Sequence, residues 1–306
     1  MTGQVVRAPA GPLPRSPRPA VRAYVKLTKP RIVVLLLITT VPAMILADRG
    51  VPSLWLIVAT LLGGTLSAGG ANAVNQYLDR DIDEIMLRTR RRPLPSRRIE
   101  PRDALVFGLV LGVAGFAFLW ATVNLLSAAL ATAAMAFYVL VYTLWLKRRS
   151  PQNIVIGGAA GAVPALVGWT AVTGRIGWPA VVLFLIVFVW TPPHFWALSL
   201  RYRRDYAAAG VPMLPVVAGE DETRRQILWY SIGLVAISLA LVPVAHMGFL
   251  YLVAAMVLGA RFVSGALKLR RRPTLAAAMA LFRYSLVYLA VLFAAVAVDT
   301  VVRFGL

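Results

Sequence analysis

Apolar residues in this chain gather in long uninterrupted runs, and charged residues, Gly and Pro fall mostly in the breaks between them. Nine runs, at 31–47, 53–74, 103–121, 124–146, 152–172, 178–198, 226–245, 248–267 and 281–302, are each predicted to form a helix. Crossing a hydrocarbon core as a helix takes about 20 apolar residues, and these runs approach or exceed that length. The expected fold is therefore all-α: a polytopic membrane protein of nine transmembrane helices embedded in the lipid bilayer. Two inter-helix segments, 75–102 and 199–225, are much longer than the rest and are expected to carry function. They lie four spans apart, the spacing of two similar four-helix units each bearing one loop.

Composition agrees with this reading. Of the 306 residues, 59% are hydrophobic and only 14% charged, which sets the chain far from soluble domains. A net charge of +20 would suit a nucleic-acid binder. The basic residues sit instead in short stretches between apolar runs, where membrane topology places them, so a nucleic-acid partner is excluded. One side of the membrane receives the N-terminal segment, the 75–102 loop, Lys147 to Arg149, the 201–225 loop and Lys268 to Arg272; the other receives Arg49, Arg175 and Arg303. This asymmetry puts the long loops and the N-terminus in the cytoplasm and the C-terminus outside, which requires an odd number of spans. Residues 1–28, basic, free of acids and rich in Pro, are expected to be a disordered cytoplasmic tail, with 29–306 as a single transmembrane domain. Cysteine is absent, so no disulfide or thiolate chemistry is available.

Chemistry concentrates after the second run, in NQYLDRDIDEIMLRTRRRPLP at 75–95. Asn75, Asp79 and Asp83 recur at intervals of four, forming one stripe on a helix continuing from the span. Like charges at that spacing repel, and a carboxylate at the bilayer centre costs about 2.5–3.5 kcal/mol, so the stripe is expected at the membrane surface with a neutralising partner. Mg²⁺ is the natural candidate, since it binds through one or two carboxylates plus substrate phosphates. Asp81 and Glu84 face elsewhere and are expected to pair with Arg80 or Arg88. Arg88, Arg90, Arg91 and Arg92 follow; guanidinium groups grip phosphate oxygens, although topology alone also accounts for arginines here.

An Asn-x-x-x-Asp-x-x-x-Asp element at the end of the second of nine spans resembles the UbiA superfamily of intramembrane prenyltransferases. The likeness extends through Met-x-Arg-Thr-x-x-Arg-Pro-Leu at 86–94, NIVIGGAAGAVPALVGW at 153–169, WTPPHFWALSL at 190–200 and DYAAAGVPMLPVV at 205–217. These later segments are similar to the haem-farnesylating branch of that superfamily, and the likeness runs from about residue 24 to the end. It implies a Mg²⁺-dependent transfer of the farnesyl group of farnesyl diphosphate to a vinyl group of haem B, with addition of water, giving haem O. Haem B is then a substrate rather than a permanent cofactor.

Carried onto this chain, the resemblance implies that Asn75, Asp79, Asp83 and Asp205 are catalytic metal ligands, with Glu220, Asp221 or Glu222 as candidates to assist Asp205. Arg88 and Arg92 are implied in diphosphate binding. Asn153, Tyr202, Arg201, Arg204 and His194 are implied in substrate binding, the histidine through haem iron or propionates. Tyr142, Trp190, Phe195, Trp196 and Tyr202 are available as aromatic faces for an allylic cation. Many superfamily members have a second aspartate four residues beyond Asp205, where this chain has Ala209, a departure that weakens a quinone-precursor prenyltransferase reading. A secondary transporter with intramembrane carboxylates is a further alternative, although its ionisable groups would sit nearer the bilayer midplane. His246 is expected to be structural. The pathway implies residence in a bacterial cytoplasmic membrane and association with haem A synthase.

Overall fold

The computed structural model describes residues 17–305. It is all-helical over that range: α1 (Pro17–Leu27), α2 (Pro30–Asp48), α3 (Leu54–Leu78), α4 (Arg80–Ile85), α5 (Pro101–Thr122), α6 (Leu125–Ala136), a π-helical stretch (Phe137–Leu146), α7 (Lys147–Arg149), α8 (Asn153–Thr173), α9 (Trp178–Arg201), α10 (Arg203–Ala208), α11 (Leu214–Val217), α12 (Gly219–Ala245), α13 (Phe249–Arg271) and α14 (Leu275–Phe304). Among the described residues eight helices are long and apolar enough to cross a membrane, with Leu125–Arg149 counted as one. The ninth expected span coincides with α2, a helix of 19 residues whose apolar segment among the described residues is Ile38–Asp48.

Of the tail expected to be disordered, residues 1–16 lie outside the described residues. Residues 17–27 form a helix, which buries Ala23 and Leu27 against Ala73, Ile99 and Ala104. Its prolines sit in the first turn, where they cost no hydrogen bond. The second loop is shorter than the apolar runs imply, because α9 runs to Arg201 and α12 starts at Gly219.

Helix limits follow local chemistry. Ser53, Asn124 and Thr274 accept from the amides of Leu56, Ser127 and Ala277 and so cap α3, α6 and α14. His246 ends α12 in the left-handed region at φ 53°, the structural part expected of it.

Close approach of backbones sets the geometry of the helix that carries the stripe. Where α3 crosses α5, a Cβ on Gly70 would lie 2.6 Å from the carbonyl oxygen of Gly108, and one on Gly115 2.9 Å from the amide of Ser67. Small residues of this kind are how helices pack inside a bilayer, where no hydrophobic effect separates them from lipid.

The largest apolar core lies among α8, α9, α12, α13 and α14, around Leu183, Ile186, Phe262, Tyr288 and Phe293. Trp55, Trp120, Trp178 and Phe249 are exposed at the end opposite the long loops, and Trp145 and Trp229 near the loop end. That distribution matches aromatic belts at two interfaces. Opposite the loops, the buried carboxylate of Asp299 on α14 accepts from the amides of Gly248 and Tyr251 and caps α13.

Candidate active site

The stripe survives folding, with one modification. α3 ends at Leu78 and α4 begins at Arg80, so the helix is interrupted at Asp79, which has φ −89° and ψ 2°. The helical bonds continue across the break: the Asp79 amide donates to Asn75 O at 2.9 Å, and the Asp83 amide to Asp79 O at 2.8 Å. Asn75, Asp79 and Asp83 therefore remain stacked, and all three are buried.

Burial of two carboxylates requires compensation, and cations provide it. Lys147 pairs with Asp79 Oδ2. Arg92 donates from Nη1 to both oxygens of Asp83, at 2.9 and 2.7 Å. The amide of Asn75 joins the Asp79 pair: its Nδ2 donates to Asp79 Oδ2 at 2.7 Å and to Thr143 Oγ1 at 3.1 Å, while its Oδ1 accepts from Lys29 Nζ at 2.9 Å. Burial, reinforced by Arg92 and Lys147 nearby, brings Lys29 down to about 7 from its ordinary 10.5, with Asp79 and Asp83 opposing the change. Thr143 and Lys147 come from the π-helical stretch and the residue after it, where Lys147 N bonds Tyr142 O and Thr143 Oγ1 bonds Tyr138 O. Such wider turns concentrate at functional sites. Tyr138 and Tyr142 stack there at 5.4 Å, and Gly157 leaves room for the ring of Tyr142.

Lys29 and Lys147 escaped the sequence reading because tail and topology accounted for them. The expected partners of Asp81 also require correction. Asp81 pairs with Arg148, at 2.7 Å through both oxygens, and this bonding holds its carboxyl below the usual carboxylate range. Arg80 turns instead over the ring of Tyr77 at 4.5 Å. Arg88 lies 5.5 Å above Tyr202 and donates to the hydroxyl of Tyr206 at 3.3 Å, which links the two long loops. Ile82, Met86, Ile154, Tyr206, Val211 and Met213 form one apolar cluster across the same junction.

Two observations bear on whether a metal fits. Asp79 Oδ1 is sealed from solvent and has no hydrogen-bond partner, and neither has either polar atom of the Asn153 side chain. Asn153 is the first residue of α8, and its amide caps nothing. An acidic, amide-bearing set with an orphaned carboxylate oxygen suits a hard divalent cation such as Mg²⁺, which takes oxygen donors and leaves positions for phosphate. Asp79, Asp83 and Asn75 are the residues that would hold it.

The second loop is built differently. Asp205 on α10 is half-buried, and its carboxylate has no ion pair or hydrogen bond among the described residues. Among the described residues, neither at the stripe nor at this loop do three His, Asp or Glu side chains converge as a metal cluster. The acids thought to assist Asp205 are engaged elsewhere: Glu220 pairs with Arg203 and Arg224 at 3.2 Å each, Asp221 with Arg224, and Glu222 with Arg225 at 2.7 Å. Arg201 is exposed and lies 5.7 Å from the ring of Tyr202, and Arg204 is exposed.

His194 is buried near the loop end of α9, between aromatic faces. Trp190 stacks on it at 4.2 Å and Phe282 at 4.7 Å, with Phe195 edge-on at 5.4 Å. Trp196 faces away, edge-on to Tyr230.

Comparison with known proteins places this geometry. The model of the UbiA prenyltransferase family matches residues 36–296. The chain is 58% identical over 285 residues to protoheme IX farnesyltransferase of Frankia alni, spanning 92% of this chain and 99% of that one. It is 54% identical over 287 residues to the protein of that name from Gloeobacter violaceus, covering 94% of each. Among solved structures, a digeranylgeranylglyceryl phosphate synthase superposes with TM-score 0.76 at 18% identity, over 92% of this chain and 99% of that one. A UbiA homolog from Archaeoglobus fulgidus bound to GPP and Mg²⁺ superposes with TM-score 0.61 at 17% identity, over 90% and 99%. The two structures share the fold.

Proposed function

The chain belongs to the UbiA prenyltransferase family, and from that membership we propose that it transfers the farnesyl group of farnesyl diphosphate to a vinyl group of haem B. The bond from farnesyl C1 to the diphosphate oxygen breaks, and C1 bonds the terminal vinyl carbon. Water adds its hydroxyl at the other vinyl carbon and loses a proton, giving haem O and diphosphate. The observation that carries this reading is identity of 53–58% to proteins named protoheme IX farnesyltransferase over 92% of the chain, among them those of Frankia and Clavibacter.

Each residue group has a role that its environment supports. Asn75, Asp79 and Asp83 are the ligands for Mg²⁺, with Asp205 a second-site ligand. The metal, when bound, supplies positive charge that offsets the departing diphosphate. Arg88 and Arg92 are the guanidinium partners of diphosphate; Lys29 and Lys147, both at the stripe, add to that set. A carbocation must be shielded from water until the vinyl group reaches it. Tyr138 and Tyr142 present stacked rings beside the stripe for this purpose. Tyr202, Arg201, Arg204 and His194 belong to the haem side, and Asn153 offers two unpaired polar atoms to a substrate.

The loops face the cytoplasm, the C-terminus lies outside, and the protein resides in the cytoplasmic membrane, next to the haem A synthase that consumes its product. The basic loop end and the nearly uncharged opposite end support this orientation. The test is chromatography of haems after incubating purified protein with haem B, farnesyl diphosphate and Mg²⁺. A new, more apolar haem is expected, absent with Asp79→Asn and Asp83→Asn; conversion by both variants would refute the site.

A further inference from the structure

Ser285 on α14 has no place in the chemistry described so far, yet two of its groups reach the pocket of His194. Its hydroxyl lies 2.6 Å from His194 Nδ1 and 2.7 Å from the carbonyl oxygen of Phe282. Its own carbonyl oxygen accepts from Trp190 Nε1 at 2.8 Å, and Trp190 is the ring stacked on the histidine. A serine hydroxyl has one proton. A carbonyl oxygen only accepts, so at 2.7 Å that proton must lie toward Phe282; the opposite assignment would set two lone pairs against each other. The hydroxyl therefore accepts from the imidazole, and Nδ1 carries the ring proton. His194 Nε2 is left as a lone pair, with no hydrogen-bond partner among the described residues, and it is not one of the sealed polar atoms.

We propose that Ser285 is a positioning residue that fixes the tautomer and angle of His194 so that Nε2 ligates the iron of the haem substrate. The inference rests on the haem reading above and sharpens it, because an imidazole without a proton on Nε2 cannot donate to a propionate but can bind iron. Histidines that bind metals commonly donate their second ring N–H to a fixed acceptor, and loss of that acceptor weakens binding roughly 10- to 100-fold. Here the clamp has three parts: the Ser285 hydroxyl holds Nδ1, the Ser285 carbonyl holds Trp190, and Trp190 with Phe282 holds the ring plane.

Purified full-length protein would be titrated with ferric and ferrous haem B, following the Soret band and the paramagnetic resonance spectrum, with haem O formation assayed in parallel. Wild type is expected to show a histidine-ligated spectrum that His194→Ala abolishes. Ser285→Ala is expected to weaken haem binding roughly 10- to 100-fold and alter the spectrum, while Ser285→Thr restores both. Binding of farnesyl diphosphate, measured without haem, should be unchanged in all three, which separates the effect from misfolding. If Ser285→Ala keeps the wild-type spectrum and affinity, Ser285 does not position the histidine. If His194→Ala keeps the spectrum while haem O still forms, iron is ligated elsewhere and the inference fails, with the haem reading intact. If wild type neither binds nor converts haem B, the haem reading itself fails.

Discussion

Asp79 and Asp83, at the head of the first long loop, are sealed from solvent and each faces a cation, whereas Asp205 on the second is half-buried and faces none. The acids that follow Asp205, at 220–222, are neutralised by arginines near them on the surface. The contrast originates in the elements that lead into each loop. α3 is pressed against α5 by glycines whose backbones almost touch, so its last turn delivers Asn75 and Asp79 into protein rather than water. Counter-charge comes from Arg92 within the same loop and, from distant parts of the chain, from Lys147 at Asp79 and Lys29 at the Asn75 amide. The second loop breaks into the short helices α10 and α11, and its acids stay at the surface, where water and neighbouring arginines screen them. One loop thus holds its carboxylates against paired cations in the protein interior, and the other contributes apolar and aromatic contacts through Tyr202 and Tyr206.

Four substitutions test that contrast. Lys147→Met leaves a buried carboxylate uncompensated, which costs about 3–5 kcal/mol. Thermal melting in detergent should show a large loss, partly recovered by Mg²⁺ with diphosphate; an unchanged melting temperature would mean that Asp79 is not held by this pair. Asp79→Asn removes one of the proposed Mg²⁺ ligands, and on that proposal turnover should fall roughly 10²–10³-fold, read as diphosphate release. Asp205→Asn should lower turnover by about tenfold, equivalent to about 1.4 kcal/mol. A loss as deep as that of Asp79→Asn would erase the distinction between the loops. Glu220→Gln breaks one exposed pair and weakens one partly buried one, and should shift stability by no more than about 1 kcal/mol in the same melting assay.

The contrast also explains what could be read from the sequence. Apolar runs are long and their breaks are charged, so helix positions were legible to within a few residues for α3, α8 and α9. α1 was not, because prolines in its first turn look like helix breakers although that position tolerates them. The spacing of Asn75, Asp79 and Asp83 is local and was visible, as was Arg92 beside it, but the cations at Asp79 and Asn75 are not local. Lys29 lies 46 residues before Asn75 and Lys147 68 residues after Asp79, and each has an ordinary explanation as a topology signal. Proximity in sequence misled in the opposite direction: Asp81 lies next to Arg80 yet pairs with Arg148. Ser285, 91 residues from His194, is one serine among several in an apolar helix, and only the fold identifies it as a partner.

Asp299 carries a consequence for how the protein is made. A carboxylate entering the bilayer on an isolated helix costs up to about 2.5–3.5 kcal/mol. The first amides of a helix likewise have no partner within it. In the folded chain each need answers the other, because Asp299 of α14 accepts from Gly248 and Tyr251 at the start of α13. The last two helices are therefore costly guests of the membrane when separate and acceptable ones when together. Their biogenesis is expected to proceed as the insertion of a single hairpin, with α13 retained beside the insertion machinery until α14 has been synthesised.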